Sequence, residues 1–218
     1  MRLVYSFRID KNDTVYSSLE RMSLLSKNLY NQALFEVKSH YQKTGEILSY
    51  PQLDKIMKTK TNLEGEINYR LLPAKVAQQT LMLVSQNIKA FFAQLEDYKS
   101  NPSKYQARPE FPHFLPKDGH FVVVFTNQQA KIQKEGTIQL TSSVALKIPS
   151  LEFTKYKGDF ILQSGKKIVP LFQQIRIVPK FNTDFFNVEI VYSKEELNAD
   201  VDINRVASFD LGVNNLIT

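Results

Sequence analysis

Arg2-Leu3-Val4-Tyr5-Ser6-Phe7-Arg8-Ile9 alternates without a break. Leu3, Tyr5, Phe7 and Ile9 fall on one side of an extended chain, and Arg2, Val4, Ser6 and Arg8 on the other, the period-two signature of a half-buried strand. Asp10-Lys11-Asn12-Asp13 ends it. Helical patterns then fill the chain to about residue 100, and extended segments resume only near Phe121. The simplest closed arrangement pairs the opening strand with those later strands. The helices then become an insertion into a small β-barrel, an architecture that commonly binds single-stranded nucleic acid.

The insertion reads as two long helices and one short one. Asp13 or Thr14 is predicted as the first N-cap. Val15, Leu19, Met22, Leu25, Leu29, Ala33 and Val37 then recur at three- and four-residue steps, a single apolar stripe on a helix reaching about His40, with Gly45 ending the region. Tyr30-Asn31-Gln32 sits mid-helix and reads as ordinary packing and surface. Ser49-Tyr50-Pro51-Gln52 opens a short second helix through Leu53, Ile56 and Met57, with a basic edge of Lys55, Lys58 and Lys60. Pro73 opens the strongest helix. Its seam of Ala77, Leu81, Val84, Ile88, Phe91, Leu95 and Tyr98 suits antiparallel packing on the first long helix.

Beyond residue 121 the chain reads as short strands, with Gly136, Gly158 and Gly165 at expected turns. Residues 173–192 form a strand pair joined by a hairpin connection over 179–184. The acidic stretch Glu195-Glu196 and Asp200-Val201-Asp202 reads as a solvated linker. Residues 206–209 form a terminal apolar strand, and Asp210-Leu211-Gly212 turns the chain.

Composition narrows the chemistry. A 218-residue chain with 43% apolar residues can bury a sizeable core in one large domain or two small ones. Without cysteine it has no disulfide, no thiolate nucleophile and no Cys-based zinc site. No apolar run approaches a membrane span, and the first ten residues are too short and polar for a signal peptide, so the expectation is a soluble intracellular protein. His40, His113 and His120 show no ligand spacing, and no Ser/His/Asp set, phosphate-cradling glycine loop or internal repeat is present.

Charge is unevenly spread. Residues 131–180 hold nine Lys/Arg against three Asp/Glu, a surplus as large as the +6 of the whole chain. Such clustering fits a polyanion-binding face, and equally a solvated lysine-rich surface. Lys131, Lys134, Lys147, Lys166, Lys167, Arg176 and Lys180 are the candidates for phosphate contact. The proline-broken segment 104–114 adds Lys104, Tyr105 and Arg108. It reads either as a track along a nucleic-acid backbone or as a linker pinned by its aromatics. Asp210, at the tip of an apolar strand, is a rigid place for an oxygen ligand to a hard divalent cation, although an Asp-x-Gly turn is more often only a turn.

Several segments taken in order resemble a known family. They are Leu29-Tyr30-Asn31-Gln32-Ala33-Leu34, Leu48-Ser49-Tyr50-Pro51-Gln52-Leu53, Ala77-Gln78-Gln79 with Phe91-Phe92, Arg108-Pro109-Glu110-Phe111-Pro112-His113-Phe114, the strand pair at 173–192, and Ser208-Phe209-Asp210-Leu211-Gly212-Val213-Asn214-Asn215-Leu216. Together they resemble the amino-terminal half of the TnpB/OrfB family of transposon-encoded proteins, compact relatives of type V CRISPR effectors. The resemblance runs over essentially the whole chain, and the ordered set carries it rather than any single motif.

The resemblance implies an α+β fold. A small wedge-type β-barrel would take residues 1–12 as its first strand and 101–198 as its remainder. A helical recognition insert would fill 13–100, and 199–218 would begin a RuvC nuclease domain of RNase H-like fold. It also implies a guide RNA and a target DNA as partners, a cytoplasmic, nucleoid-associated location, and RNA-guided DNA cleavage in which base pairing reads the target. Asp210 matches the first catalytic carboxylate, a Mg²⁺ ligand. The family's second catalytic Glu, Cys-rich zinc element and last Asp have no counterpart, because the sequence stops eight residues after Asp210 and has no cysteine. One carboxylate does not hold two metals in cleavage geometry, so the chain is expected to be inactive alone and to need a separate carboxy-terminal nuclease half. Residues after about 204, lacking a sheet to join, are expected to be poorly ordered or to act as an unpaired edge. Two other readings compete with this one: a stand-alone binding module or decayed transposase remnant without catalysis, and a site-specific DNA binder using 14–58 as a helix-turn-helix.

Overall fold

In the computed structural model, residues 1–164 and 167–194 are described. Lys166, Asp210, the acidic linker, the terminal strand and the expectation for the residues after 204 fall outside them. The described chain is a mixed α+β fold whose strand pairings are all antiparallel. Strand β1 (Arg2–Asp10) comes first, followed by helices α1 (Tyr16–Thr44), α2 (Tyr50–Met57) and α3 (Ala74–Ser100). After them come β2 (Val123–Thr126), β3 (Lys131–Ile132), β4 (Thr137–Gln139) and β5 (Ala145–Lys147). Helix α4 (Ser150–Phe160) precedes β6 (Ile161–Ser164), β7 (Lys167–Pro170), β8 (Phe172–Lys180) and β9 (Phe185–Ser193).

The opening strand finds its partner at the far end of the described chain. β1 pairs with β9, Arg2 opposite Ser193 and Asp10 opposite Phe185. The main sheet runs β1-β9-β8-β2. Its register puts Leu3, Tyr5, Phe7 and Ile9 in line with Tyr192, Ile190, Val188 and Phe186 on one face. Ile175, Ile177, Phe125 and Val123 continue that apolar face across β8 and β2. The helices are therefore an excursion between two paired strands, as the alternation and the order of elements predict.

The predicted barrel does not close among the described residues. β1 and β2 are the free edges of the main sheet, and β3-β4-β5 and β6-β7 are separate small sheets. The reason is strand length: β2 has four residues and β3 two, too few to carry a ladder from one sheet into the next. The sheets meet through side chains instead, with Phe125, Ile138, Phe160, Phe172 and Phe186 in one buried cluster.

Helix α4 corrects the expectation of uninterrupted short strands, and with it the turn expected at Gly158, which lies inside the helix. Phe153, Tyr156 and Phe160 stand at helical spacing. Phe160 contacts the rings of Tyr5 and Tyr192 at 5.6 and 5.3 Å, so the helix covers the inner face of the main sheet. The hairpin connection is also shorter than expected. β8 continues through Pro179 and Lys180, leaving only 181–184 as the turn.

The helical unit has the three helices the periodicity predicts, with two differences. Neither Asp13 nor Thr14 caps α1. The N-cap is Val15, and the Asp13 carboxylate instead accepts the Asp10 backbone N–H at 2.6 Å, closing the turn after β1. And α3 runs parallel to α1, not antiparallel. Contacts advance along both helices in the same sense: Ser26 with Thr80 at 3.1 Å, Asn87 with the Tyr30 hydroxyl at 3.0 Å, and Tyr41 with Phe92 at 5.4 Å between rings. The intervening chain makes this possible by returning along α1, where Lys60 meets Glu36 and the Gln32 amide meets Thr61 and Asn68.

Gly136 has φ +85°, and a Cβ there would lie 2.8 Å from Phe153 Cγ. Gly136→Ala combines left-handed backbone strain with a clash against a buried ring, and it should cost about 2 kcal/mol or more. Urea unfolding should show a lower midpoint at unchanged m-value, and an unchanged midpoint would refute the packing of α4 on the β3–β4 turn.

Candidate nucleic-acid interface

The residues singled out for phosphate contact divide into three places. Lys104 and Tyr105 are engaged at the end of α3. The Tyr105 hydroxyl donates to Asp97 Oδ2 at 2.7 Å, Lys104 Nζ lies 3.4 Å from Asp97 Oδ1, and the Tyr98 and Tyr105 rings meet at 5.6 Å. Hydrogen bonds from Tyr105, then Asn101, hold the Asp97 carboxyl below its ordinary pKa. Arg108 is exposed, with no charged partner among the described residues. The rest of this segment is a strap. Phe111 packs on Phe91 at 5.3 Å, and Asn31 holds Leu115 by both backbone groups, at 2.9 and 2.8 Å. Ser23 holds both backbone groups of Phe121. Of the two readings of this segment, the pinned linker describes its geometry.

Lys131 and Lys147 share the outer face of the β3-β4-β5 sheet, opposite buried Ile132, Ile138 and Leu146. Lys134 is exposed in the β3–β4 turn and Lys167 on β7. They belong to the smaller sheets and do not converge with Arg176 on one element.

Arg176 and Lys180 lie on the outer face of the main sheet, where they join residues not singled out from sequence. The register that sends Leu3 and Ile9 inward sends Arg2 and Arg8 outward, on the same side as Asn187 and Glu189 of β9 and Gln174, Arg176 and Lys180 of β8. Near β2 this face becomes the floor of a groove of about 600 Å³, formed by Arg2, Val124, Gln174, Arg176, Val178 and Glu189. Helix α3 supplies its wall with Gln79, Met82, Leu83 and Gln86. Arg176 pairs with Glu189 at 2.7 Å, but its buried Nε has no acceptor among the described residues. A buried donor left this way costs about 1–3 kcal/mol. At the other end Arg8 pairs with Asp10 and places its guanidinium 3.9 Å from the centre of the Phe185 ring.

Four cations therefore stand on this face against the carboxylates of Asp10 and Glu189, among amides suited to hydrogen bonding. The alternation of β1 already put Arg2 and Arg8 on one side, but their meeting with Arg176 depends on the β1-β9-β8 order, which no local pattern encodes. The β1–α1 end differs in character. α2 is an eight-residue helix with Leu53 and Met57 buried and Asp54 bonded to Lys58 and Tyr69, while Pro51, Gln52 and Lys55 stay exposed.

Among the described residues no three His, Asp or Glu side chains stand where they would hold a metal ion, and no helix is long and apolar enough to cross a membrane. No protein-family model matches the chain, and no curated protein matches it.

His120 lies where the strap meets the β8–β9 turn. Burial lowers its pKa, opposed by Glu20 and Asp118 and reinforced by Lys27. Between that lowered value and its ordinary value near 6.5 the unfolded chain binds more protons than the folded one. Stability should therefore fall as pH drops through this window and recover above it. His120→Gln should flatten the fall in thermal melts as pH drops below about 6.5. An unchanged slope would show that His120 is not its source.

Proposed function

We propose that the chain is the nucleic-acid-binding amino-terminal part of a transposon-encoded, RNA-guided DNA endonuclease, and that the outer face of the main sheet with its α3 groove contacts the phosphate backbone. The observation that carries this reading is the gathering of Arg2, Arg8, Arg176 and Lys180 on one open face. A polyanion supplies many acceptors along one line, and the guanidinium fork suits phosphate oxygens. Lys131, Lys134 and Lys147 form a second cationic surface on which the same strand continues.

On this reading the main sheet and the two small sheets together serve as the wedge-type barrel, joined by side-chain packing rather than by a closed ladder. Residues 13–100 are the recognition insert. The partners are a guide RNA and a target DNA, and the setting is the cytoplasm beside the nucleoid. Asp210 would be the first Mg²⁺ ligand of the RuvC domain, and with the family's other carboxylates the ion would supply activation of water and stabilisation of the leaving oxygen. On this reading the role of residues 1–194 is to bind and orient nucleic acid.

If the cationic face neutralises phosphates, affinity for a structured RNA must fall steeply with salt. Arg2→Ala and Lys180→Ala should each reduce the slope of log affinity against log salt by about 1, and Lys104→Ala, spent on Asp97, should leave it unchanged. A flat salt dependence would overturn the reading. RNA recovered with the protein from its host should be one dominant structured species encoded beside its gene. A heterogeneous pool would favour a stand-alone binding module instead.

A further inference from the structure

The β8–β9 turn is strained in an unusual way. Phe181, Asn182 and Thr183 all have left-handed backbone, with φ of 46°, 53° and 68°. Asn tolerates this region, but a phenylalanine and a β-branched threonine do so only at a cost. The turn is nonetheless held firmly. The hydroxyl of buried Tyr16 donates to the Thr183 carbonyl, and the Tyr16 ring packs on Phe186 at 5.3 Å. The Asp184 N–H closes onto the Phe181 carbonyl at 3.1 Å, and Lys11 pairs with Asp184 at 2.9 Å.

The strain has one visible product. Phe181 stands 77% exposed at the tip, its ring 5.8 Å from that of Phe185, which itself lies beneath the Arg8 guanidinium. Glycine would adopt this turn without strain. The chain instead keeps a large apolar ring and holds it in water, and strain retained at an exposed position is a recognised mark of function. The charged groups around it are Arg8 and Lys180, together with Asp10 and Asp184, which are already paired to Arg8 and Lys11. The apolar surface is a pair of rings, far below what a stable protein interface buries. A flat π-face beside cations matches a nucleobase attached to its phosphate.

We infer that Phe181 stacks on an unpaired nucleobase at the end of a nucleic acid lying along the outer face of the main sheet, with Arg8 and Lys180 beside the adjoining phosphates. This rests on the proposed nucleic-acid-binding role of that face. The pinned turn makes Phe181 an end-stop: a flush duplex passes its backbone to the cations, while an overhanging base reaches the ring.

The test uses the whole chain and two RNA hairpins, one ending in a single unpaired 2-aminopurine and one flush-ended. Wild-type protein should quench the 2-aminopurine and bind the overhanging RNA more tightly. Phe181→Ala should lose the quenching and about 10-fold in affinity for that RNA alone, Phe181→Trp should keep both, and the melting temperature should hold in both variants because the side chain is exposed. Equal binding by wild type and Phe181→Ala, or an equal loss on both hairpins, would overturn the stacking role while leaving the cationic face intact. Failure of the wild type to bind either RNA would overturn the proposed function and this inference together.

Discussion

Everything in this fold depends on β1 finding β9. The two strands lie at opposite ends of the described chain, and closing that loop costs on the order of 5 kcal/mol in chain entropy. The return is the burial of Phe186, Val188 and Ile190, each with no exposed surface. At about 1.5–3 kcal/mol per fully buried side chain, these three residues alone match or exceed the closure cost. The pairing therefore holds on apolar burial, and the alternation in β1 is what makes it specific. A slip by one residue would put Arg2, Ser6 and Arg8 against the core and leave Tyr5 and Phe7 in water.

Once the ends are joined, the helices and their exit must begin and finish beside the sheet. The strap solves the return. From the end of α3 it runs back along α1, and polar side chains of that helix hold its backbone: Asn31 at Leu115, Lys27 at Lys117, Ser23 at Phe121 and Ser26 at Val122. Segments without regular structure carry backbone groups that need partners, and here a helix face supplies them. Burial lowers the Lys27 pKa, so its charge is held at a cost for the sake of this contact.

These side chains also mark where sequence reasoning stops. The stripe on α1 showed Leu19, Leu29, Ala33 and Val37 as core, and all four are buried. Ser23, Ser26 and Lys27 are buried as well, but a polar residue on a helix reads as solvent-facing until its partner is known. The same limit explains the helix direction. A seam in α3 says that it packs on α1 and is silent about the sense, which the returning chain at 45–73 decides. Helix α4 was hidden because Phe153, Tyr156 and Phe160 suit strands as well as helices, and Gly158 suggested a turn. For the candidate site, Arg176 and Lys180 were legible as charge. Their grouping with Arg2 and Arg8 was not, because it exists only in the sheet register.

That register explains why a binding face would arise on these strands at all. A strand with period two has two faces, and burying one leaves the other free to vary. The inner residues of β1, β9 and β8 are fixed by packing on α4 and on one another. The outer ones carry no such burden, except where α3 closes the groove over Val124 and Val178. Rigid backbone below and freely chosen side chains above make a precise platform, because each outward residue inherits its position from an inward one that cannot move. Phe181 and Arg8 occupy the end of that platform, where Tyr16 and Phe186 of the core anchor the turn from beneath. The strain in the turn is thus set by the core, and the backbone that carries the Phe181 ring is tied to the residues that hold the sheet.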